Sequence, residues 1–302
     1  MALKDIKAKI QSTERTHKVT RAMEAVSAVK MRKTQEAAFA DRPYARAALM
    51  ILARLAGAGD FARHPLAEVR TVQRTAVVVI TSDKGLAGAL NSGVLKTAEA
   101  LLATVPKDSA RLFTVGKKGE DYFRHRNVEI VQALPNKADD VELSLTEALS
   151  QKLTEGFLKG DFDTVVAVYS NFKSTFEQVP TSRTLLPLSL ETLSELVHDI
   201  PPEKGKFSEE QNIESPPAYS VEPSSGEVLE ALIPRLVAVS LYHMLLEAKA
   251  SEHSARMVAM KNASDKSKEV AHDLTRLANK VRQAAITREV SEIVSGREAL
   301  AT

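Results

Sequence analysis

The chain has 302 residues, of which 44% are hydrophobic and 26% charged. That balance is ordinary for a folded protein, and the length allows two domains or one elongated one. There is no Cys, so disulfides and thiolate chemistry are excluded. With no Trp and only 5% aromatic residues, the composition suits rods better than broad aromatic cores.

The formal net charge of +2 is unevenly spread. Residues 1–58 hold twelve Lys/Arg against five Asp/Glu, residues 227–302 eleven against ten, and the middle eighteen against twenty-four. A basic first segment suits nucleic acid, anionic lipid or an acidic protein surface, beside the plainer reading of a solvated helix face. The start, MALKDIKAKI, lacks the apolar core of a signal peptide. No uninterrupted apolar run is long enough to cross a bilayer. The expectation is a chain that is soluble or peripheral to a membrane.

Residues 3–57 read as a long helix. Leu3, Ile6 and Ile10 start an apolar stripe, and Val19, Ala22, Met23, Val26 and Val29 continue it with the drift of a 3.6 period. Pro43 should kink or break it near Arg42, and GAGD at 57–60 should end it. The middle then changes character. TAVVVIT at 75–81 is a short β-branched run of the kind found in buried strands. SDKGLAGALN leads into a helix at 91–104. Strands are expected at 111–115, 128–134 and 164–169, with helices after the GKKG turn and at 141–158. Residues 172–190 read as extended. Strands alternating with helices predict a mostly parallel α/β sheet. The Pro, Gly, Ser and Glu of 198–226 read as a loop or linker.

From Leu229, steps of three and four land on Leu232, Leu236, Val239, His243, Leu246, Ala250, His253, Met257, Met260, Ser264, Ser267, Ala271, Leu274, Ala278, Val281 and Ala285. A heptad-like seam of that length predicts a helix roughly 100 Å long. The domains expected are a helix at 1–58, an α/β lobe with its linker at 59–226, and a helix at 227–302. The simplest arrangement pairs the two helices as an antiparallel coiled coil, with the lobe inserted between them in sequence.

Support for chemistry is thin. Ser82–Gly88 sits between a strand and a helix, where phosphate loops occur, but it matches neither G-x-G-x-x-G nor G-x-x-x-x-G-K-[ST]. The seven His form no metal-binding cluster, and no nucleophile–base pair is apparent. No cofactor or metal is expected. Met23, Met31, Met257 and Met260 on helical faces suit either packing or a surface that meets changing neighbours.

Two terminal stretches, KVTRAMEAVSAVKMRKTQ near the start and SEHSARMVAMKNASDKSKE followed by NKVRQAAITREVSEIVSG, together with ITSDKGLAGALN, closely resemble the gamma subunit of F-type ATP synthases. The resemblance runs the whole chain in order. Ala87 and Ala89 stand where many members have Cys and Gly. It implies an α/β protein whose N- and C-terminal helices form a long antiparallel coiled coil with a Rossmann-like lobe beside its base. That coil would be a central rotor shaft without an active site, with no direct nucleotide or nucleic-acid partner. It would stand inside a ring of three alpha and three beta subunits, bind an epsilon subunit, and rest on a membrane c-ring. By resemblance, Arg282, Gln283, Thr287 and Glu289 lie in the upper contact with the ring. Arg256 and the matching face of the first helix, Arg21, Met23, Lys30, Arg32 and Lys33, would meet an acidic beta-subunit lever. Tyr219 would lie near the c-ring and epsilon. The implied place is the cytoplasmic face of a bacterial inner membrane, peripherally bound. Two other readings compete: a self-assembling coiled-coil scaffold with a sensory lobe, and a nucleotide-dependent enzyme with helical arms.

Overall fold

A computed structural model describes residues 3–40, 61–137, 140–189 and 224–301. Helix α1 spans Leu3–Ala40 and helix α5 spans Ser225–Ala301. Between them lie strands β1 (Thr75–Ile80), β2 (Ala110–Val115), β3 (Ile130–Leu134), β4 (Thr164–Ser174) and β5 (Glu177–Leu186), with helices α2 (Leu90–Thr104), α3 (Lys117–Arg124) and α4 (Leu143–Lys159). Contacts divide the chain into two compact units, residues 28–256 and residues 1–27 with 257–302. The expected break at Pro43 and the linker at 198–223 fall outside the described residues.

In the larger unit the sheet order is β3-β2-β1-β4-β5. Strand β1 is parallel to β2 and β4, β2 is parallel to β3, and β5 returns antiparallel beside β4. All six residues of β1 are buried, because both faces of the sheet are covered. Their period-two alternation sorts them. Val77 and Val79 pack with Val94, Leu95 and Ala98 of α2 and Phe123 of α3. Ala76, Val78 and Ile80 face Leu149, Leu153 and Phe157 of α4 and the first turns of α5, from Leu229 to Ala248. This packing accounts for one 18-residue window of α5 that is apolar enough by composition to cross a membrane, although charged residues interrupt it. Half of that window is buried, and its Leu and Val positions belong to the core against the sheet. Strand β4 runs five residues past the expected end at Tyr169 because β5 pairs with its whole length.

The smaller unit places the first part of α1 beside the last part of α5. His17 Nδ1 lies 3.0 Å from both the carbonyl and the hydroxyl of Ser264. Every expected seam position on α5 from Leu229 to Val281 is buried or half-buried, and everything after Val281 whose burial is described is exposed. The seam of α1 departs from the sequence reading. Val19, Val26 and Val29 are 58%, 52% and 70% exposed, and Ala22 is exposed too. Leu3, Ile6, Ile10 and Met23 of the expected stripe are buried or half-buried, and the other covered positions include Thr13, His17, Thr20, Ser27 and Thr34. These continue the steps of three and four that Leu3 began. Steric fit explains the choice: Thr and Ser are slim, and their hydroxyls donate back to the carbonyl one turn earlier, as Thr13, Thr16, Thr20 and Thr34 do.

Gly116 closes β2 with φ +97, and an added Cβ would lie 2.1 Å from the Thr81 carbonyl oxygen. Gly160 ends α4 at φ +75 with open space around it. Gly116→Ala should therefore destabilise the larger unit by about 3 kcal/mol or more, and Gly160→Ala by about 1 kcal/mol. Urea unfolding of the two variants checks the order; equal losses would refute the steric reading.

Candidate functional site

In an open doubly wound sheet, ligands bind at the carboxyl ends of the strands, where the order reverses. Here that point lies between β1 and β4. Several groups near that edge that could hold a phosphate are engaged by the chain itself. The free amides of the first turn of α3 are the usual anion receptors. Lys117 N donates to Asp83 Oδ1 (2.8 Å), Lys118 N to the Ser82 carbonyl (3.1 Å), and Gly119 N to Thr81 Oγ1 (2.8 Å). Asp83 Oδ1 also accepts from Asn136 N at 3.1 Å. In the first turn of α2, Asn91 pairs with Ser82: Ser82 N donates to Asn91 Oδ1 and Asn91 Nδ2 to Ser82 Oγ. Leu86 and Gly88 adopt positive φ, 63° and 56°, so the two-glycine loop is a tight turn closed on itself.

Helix α5 occupies the crevice. Lys249 Nζ donates to the Asn136 carbonyl (3.0 Å), Ser251 Oγ to Ser170 (2.9 Å), Ser254 Oγ to Thr175 (2.6 Å), and Arg256 Nε and Nη2 to Gly85 and Lys84 (3.2 and 3.4 Å). Every acceptor is a backbone carbonyl at or near the carboxyl end of a strand or its following loop. The helix comes close because this stretch, AKASEHSA at 248–255, carries mostly small side chains. Ser251 and Ser254 are completely buried. Glu252 lies between two cations on its own helix, 3.3 Å from Lys249 Nζ and 2.7 Å from Arg256 Nη2, and all three are under 9% exposed at the side chain. Removing one member would leave an uncompensated buried charge.

His253 sits inside this group and is 3% exposed. Neither ring nitrogen has a hydrogen-bond partner among the described residues. Burial, with a smaller push from Lys249, Arg256 and Lys30, lowers its pKa to about 4 against the pull of Glu252. Deeper along α5, His243 Nε2 lies 3.3 Å from Glu247 Oε1. Tyr169 of β4 is held un-ionised by burial and by the nearby Glu247 carboxylate.

The residues singled out in the sequence are distributed differently. Arg21, Arg32 and Lys33 are exposed, and Met23 and Lys30 half-exposed. Lys33 pairs with Asp140 at 2.6 Å. Arg256 is only 7% exposed and faces the 84–85 loop. Arg282, Gln283, Thr287 and Glu289 lie on solvent-exposed turns of α5, where Thr287 donates to the Gln283 carbonyl. Tyr219 falls outside the described residues. Sequence reasoning missed Lys249, Ser251, Ser254 and Asp83. The available signal was the small-residue run at 248–255, which interrupts the large apolar seam residues between Leu246 and Met257.

The family profile described as ATP synthase matches residues 2–300. The ATP synthase gamma chain of Roseiflexus sp. is 41% identical over 302 residues, covering 99% of this chain and 98% of that one. That of Moorella thermoacetica is 39% identical over 298 residues, with 99% of each covered.

The chain belongs to the ATP synthase gamma-chain family.

Its fold is also that of a chain in the OSCP/F1/c-ring structure of the Euglena gracilis mitochondrial ATP synthase, with TM-score 0.66 at 17% identity, covering 99% of this chain and 94% of that one. A Tetrahymena thermophila central-stalk chain matches with TM-score 0.58 at 24% identity, over 82% of this chain and 99% of that one. As a gamma chain it is a non-catalytic stalk subunit, peripheral to a membrane-bound complex. The enzyme and free-scaffold readings give way to it.

Because His253 is neutral when folded, its proton is taken up only on unfolding at pH between about 4 and 6.5. Stability should therefore fall as pH drops through that window, by at most about 1.4 kcal/mol per pH unit from this group. His253→Asn should flatten the slope by that amount, read from urea midpoints at pH 7, 6 and 5. An unchanged slope would sink the assignment.

Proposed function

We propose that this chain is the rotating shaft of a proton-translocating ATP synthase, coupling rotation of a membrane ring to conformational cycling of surrounding catalytic subunits. Three alpha and three beta subunits would enclose the coiled coil, and the lobe would carry an epsilon subunit and rest on the c-ring. Membership of the family over the full length carries this reading. A second observation supports it: past Val281 every residue whose burial is described is exposed, and the apolar Ile286, Val290, Ile293 and Val294 are 52%, 54%, 71% and 51% exposed. A helix end of that kind suits an enclosing sleeve.

The physical logic is differential contact. A ligand, or a shaft, biases conformations only where its contacts differ between them. An asymmetric shaft makes different contacts with each beta subunit, and rotation passes them on. The proposed upper contacts are Arg282, Gln283, Thr287 and Glu289. Lower down they are Arg21, Met23, Lys30, Arg32 and Lys33, against an acidic lever. Exposed pairs of this kind are worth only about 0–1 kcal/mol each, which suits contacts made and broken every turn. Arg256 enters the proposal through the 84–85 loop that it holds, since its guanidinium is buried. The functional boundaries proposed remain 1–58, 59–226 and 227–302, and Tyr219 remains the proposed c-ring and epsilon contact. The cytoplasmic face of a bacterial inner membrane is the proposed place, supported by the bacterial relatives.

Copurification with ATPase activity and a ring of larger subunits tests the assembly. Gln283→Leu should lower ATP-driven proton pumping in membrane vesicles several-fold. It should shift the unfolding free energy by no more than about 0.5 kcal/mol, because the site is exposed in the free chain. Normal pumping would remove Gln283 from the contact set.

A further inference from the structure

The crevice at the strand ends grips α5 from two sides. At about 100° per residue, Lys249 and Arg256 share one side of the helix, while Ser251 and Ser254 point about 180° away. The first pair reaches the loops after β3 and β1, at Asn136 and at Lys84–Gly85. The second pair reaches β4 and its hairpin turn, at Ser170 and Thr175. The sheet's reversal point lies between those two groups of acceptors.

We propose that residues 249–256 and these carbonyls form a torsional lock, which stops the helix from turning about its own axis inside the lobe. The lock rests on the rotor reading, and it adds the place where torque passes between lobe and shaft. Most of the lobe's remaining hold on α5 is apolar, from Leu229 to Ala248, with the buried Tyr169 beside Glu247 and Gln178 Nε2 donating to Ser254 Oγ at 3.4 Å as polar exceptions. Apolar burial is non-directional, so it resists pulling apart better than it resists rotation. Hydrogen bonds lose strength steeply with angle, and donors on opposite sides cannot both relax under one sense of rotation. Backbone acceptors suit the task because their positions are set by the sheet rather than by rotamers. The Glu252 bridge holds Lys249 and Arg256 extended toward their acceptors.

The test uses the assembled complex. Because the chain has no Cys, Val131→Cys on β3 gives a unique exposed attachment point for a rotation probe, away from the lock. With the rotor halted, the probe's angular variance reports the compliance between lobe and ring. Ser251→Ala/Ser254→Ala should raise that variance roughly twofold, since stiffness and thermal amplitude are inversely related. Its ATP hydrolysis rate should stay close to that of the parent, while the thermal midpoint falls by a few degrees because two buried hydrogen bonds are lost. Lys249→Met, which keeps the apolar stem, should have the same direction of effect and serves if the double variant assembles poorly. Unchanged variance in both variants overturns the lock. A parent complex whose probe never rotates with ATP overturns the rotor reading instead, so the two failures are separable.

Discussion

The structure turns on a helix lying where a doubly wound sheet ordinarily takes its ligand. Helix α5 is bound at the carboxyl ends of the strands by side-chain donors meeting backbone carbonyls. Several other donors along that edge are taken up by Asp83, Ser82, Thr81 and Asn91. A domain of nucleotide-binding architecture thus becomes a mechanical fitting. Fold alone does not carry function, and here the physical reason is visible in which groups are already hydrogen-bonded.

The two ends of α5 meet different demands. Near its start, large side chains bury themselves against the sheet, and burial area provides the hold. From Ala248 the side chains shrink, and polar grip replaces apolar area. In the smaller unit the seam mixes Met257, Met260 and Leu274 with Ser264, Ser267 and Ala271, Ser264 lying beside His17, and beyond Val281 every residue whose burial is described is exposed. Thick core, slim coil and bare tip follow one another along a single helix. That sequence of environments suits an element that is held at one end and surrounded by other chains at the other.

The buried Lys249–Glu252–Arg256 group fits the same account. Buried ion clusters seldom add much stability over well-packed apolar residues, but they fix geometry. His253, neutral within it, adds no further charge at neutral pH. The arrangement holds two long cationic side chains in one direction, which a flexible Lys or Arg alone would not maintain.

Much of the fold was legible in the residues themselves. The β-branched runs at 75–80 and 164–169, the turns between them and the long seam from Leu229 are local patterns with one strong period each, and all were recovered within a few residues. The seam of α1 was not, because Val19, Val26 and Val29 look like core and are exposed, while Thr20, Ser27 and Thr34 look like surface and are buried. Hydrophobicity gives the period of a helix, but which of two plausible stripes faces inward depends on how near the partner backbone comes. The lock was also invisible. Lys249, Ser251 and Ser254 have ordinary helical spacing, and their acceptors are carbonyls, which every residue possesses. The primary structure determined the elements, their order and the family, since these rest on short-range periodicity and on motifs in line. Only the tertiary structure decided which stripe packs and what fills the crevice, because these depend on groups brought together from as far as 247 and 172 residues apart respectively.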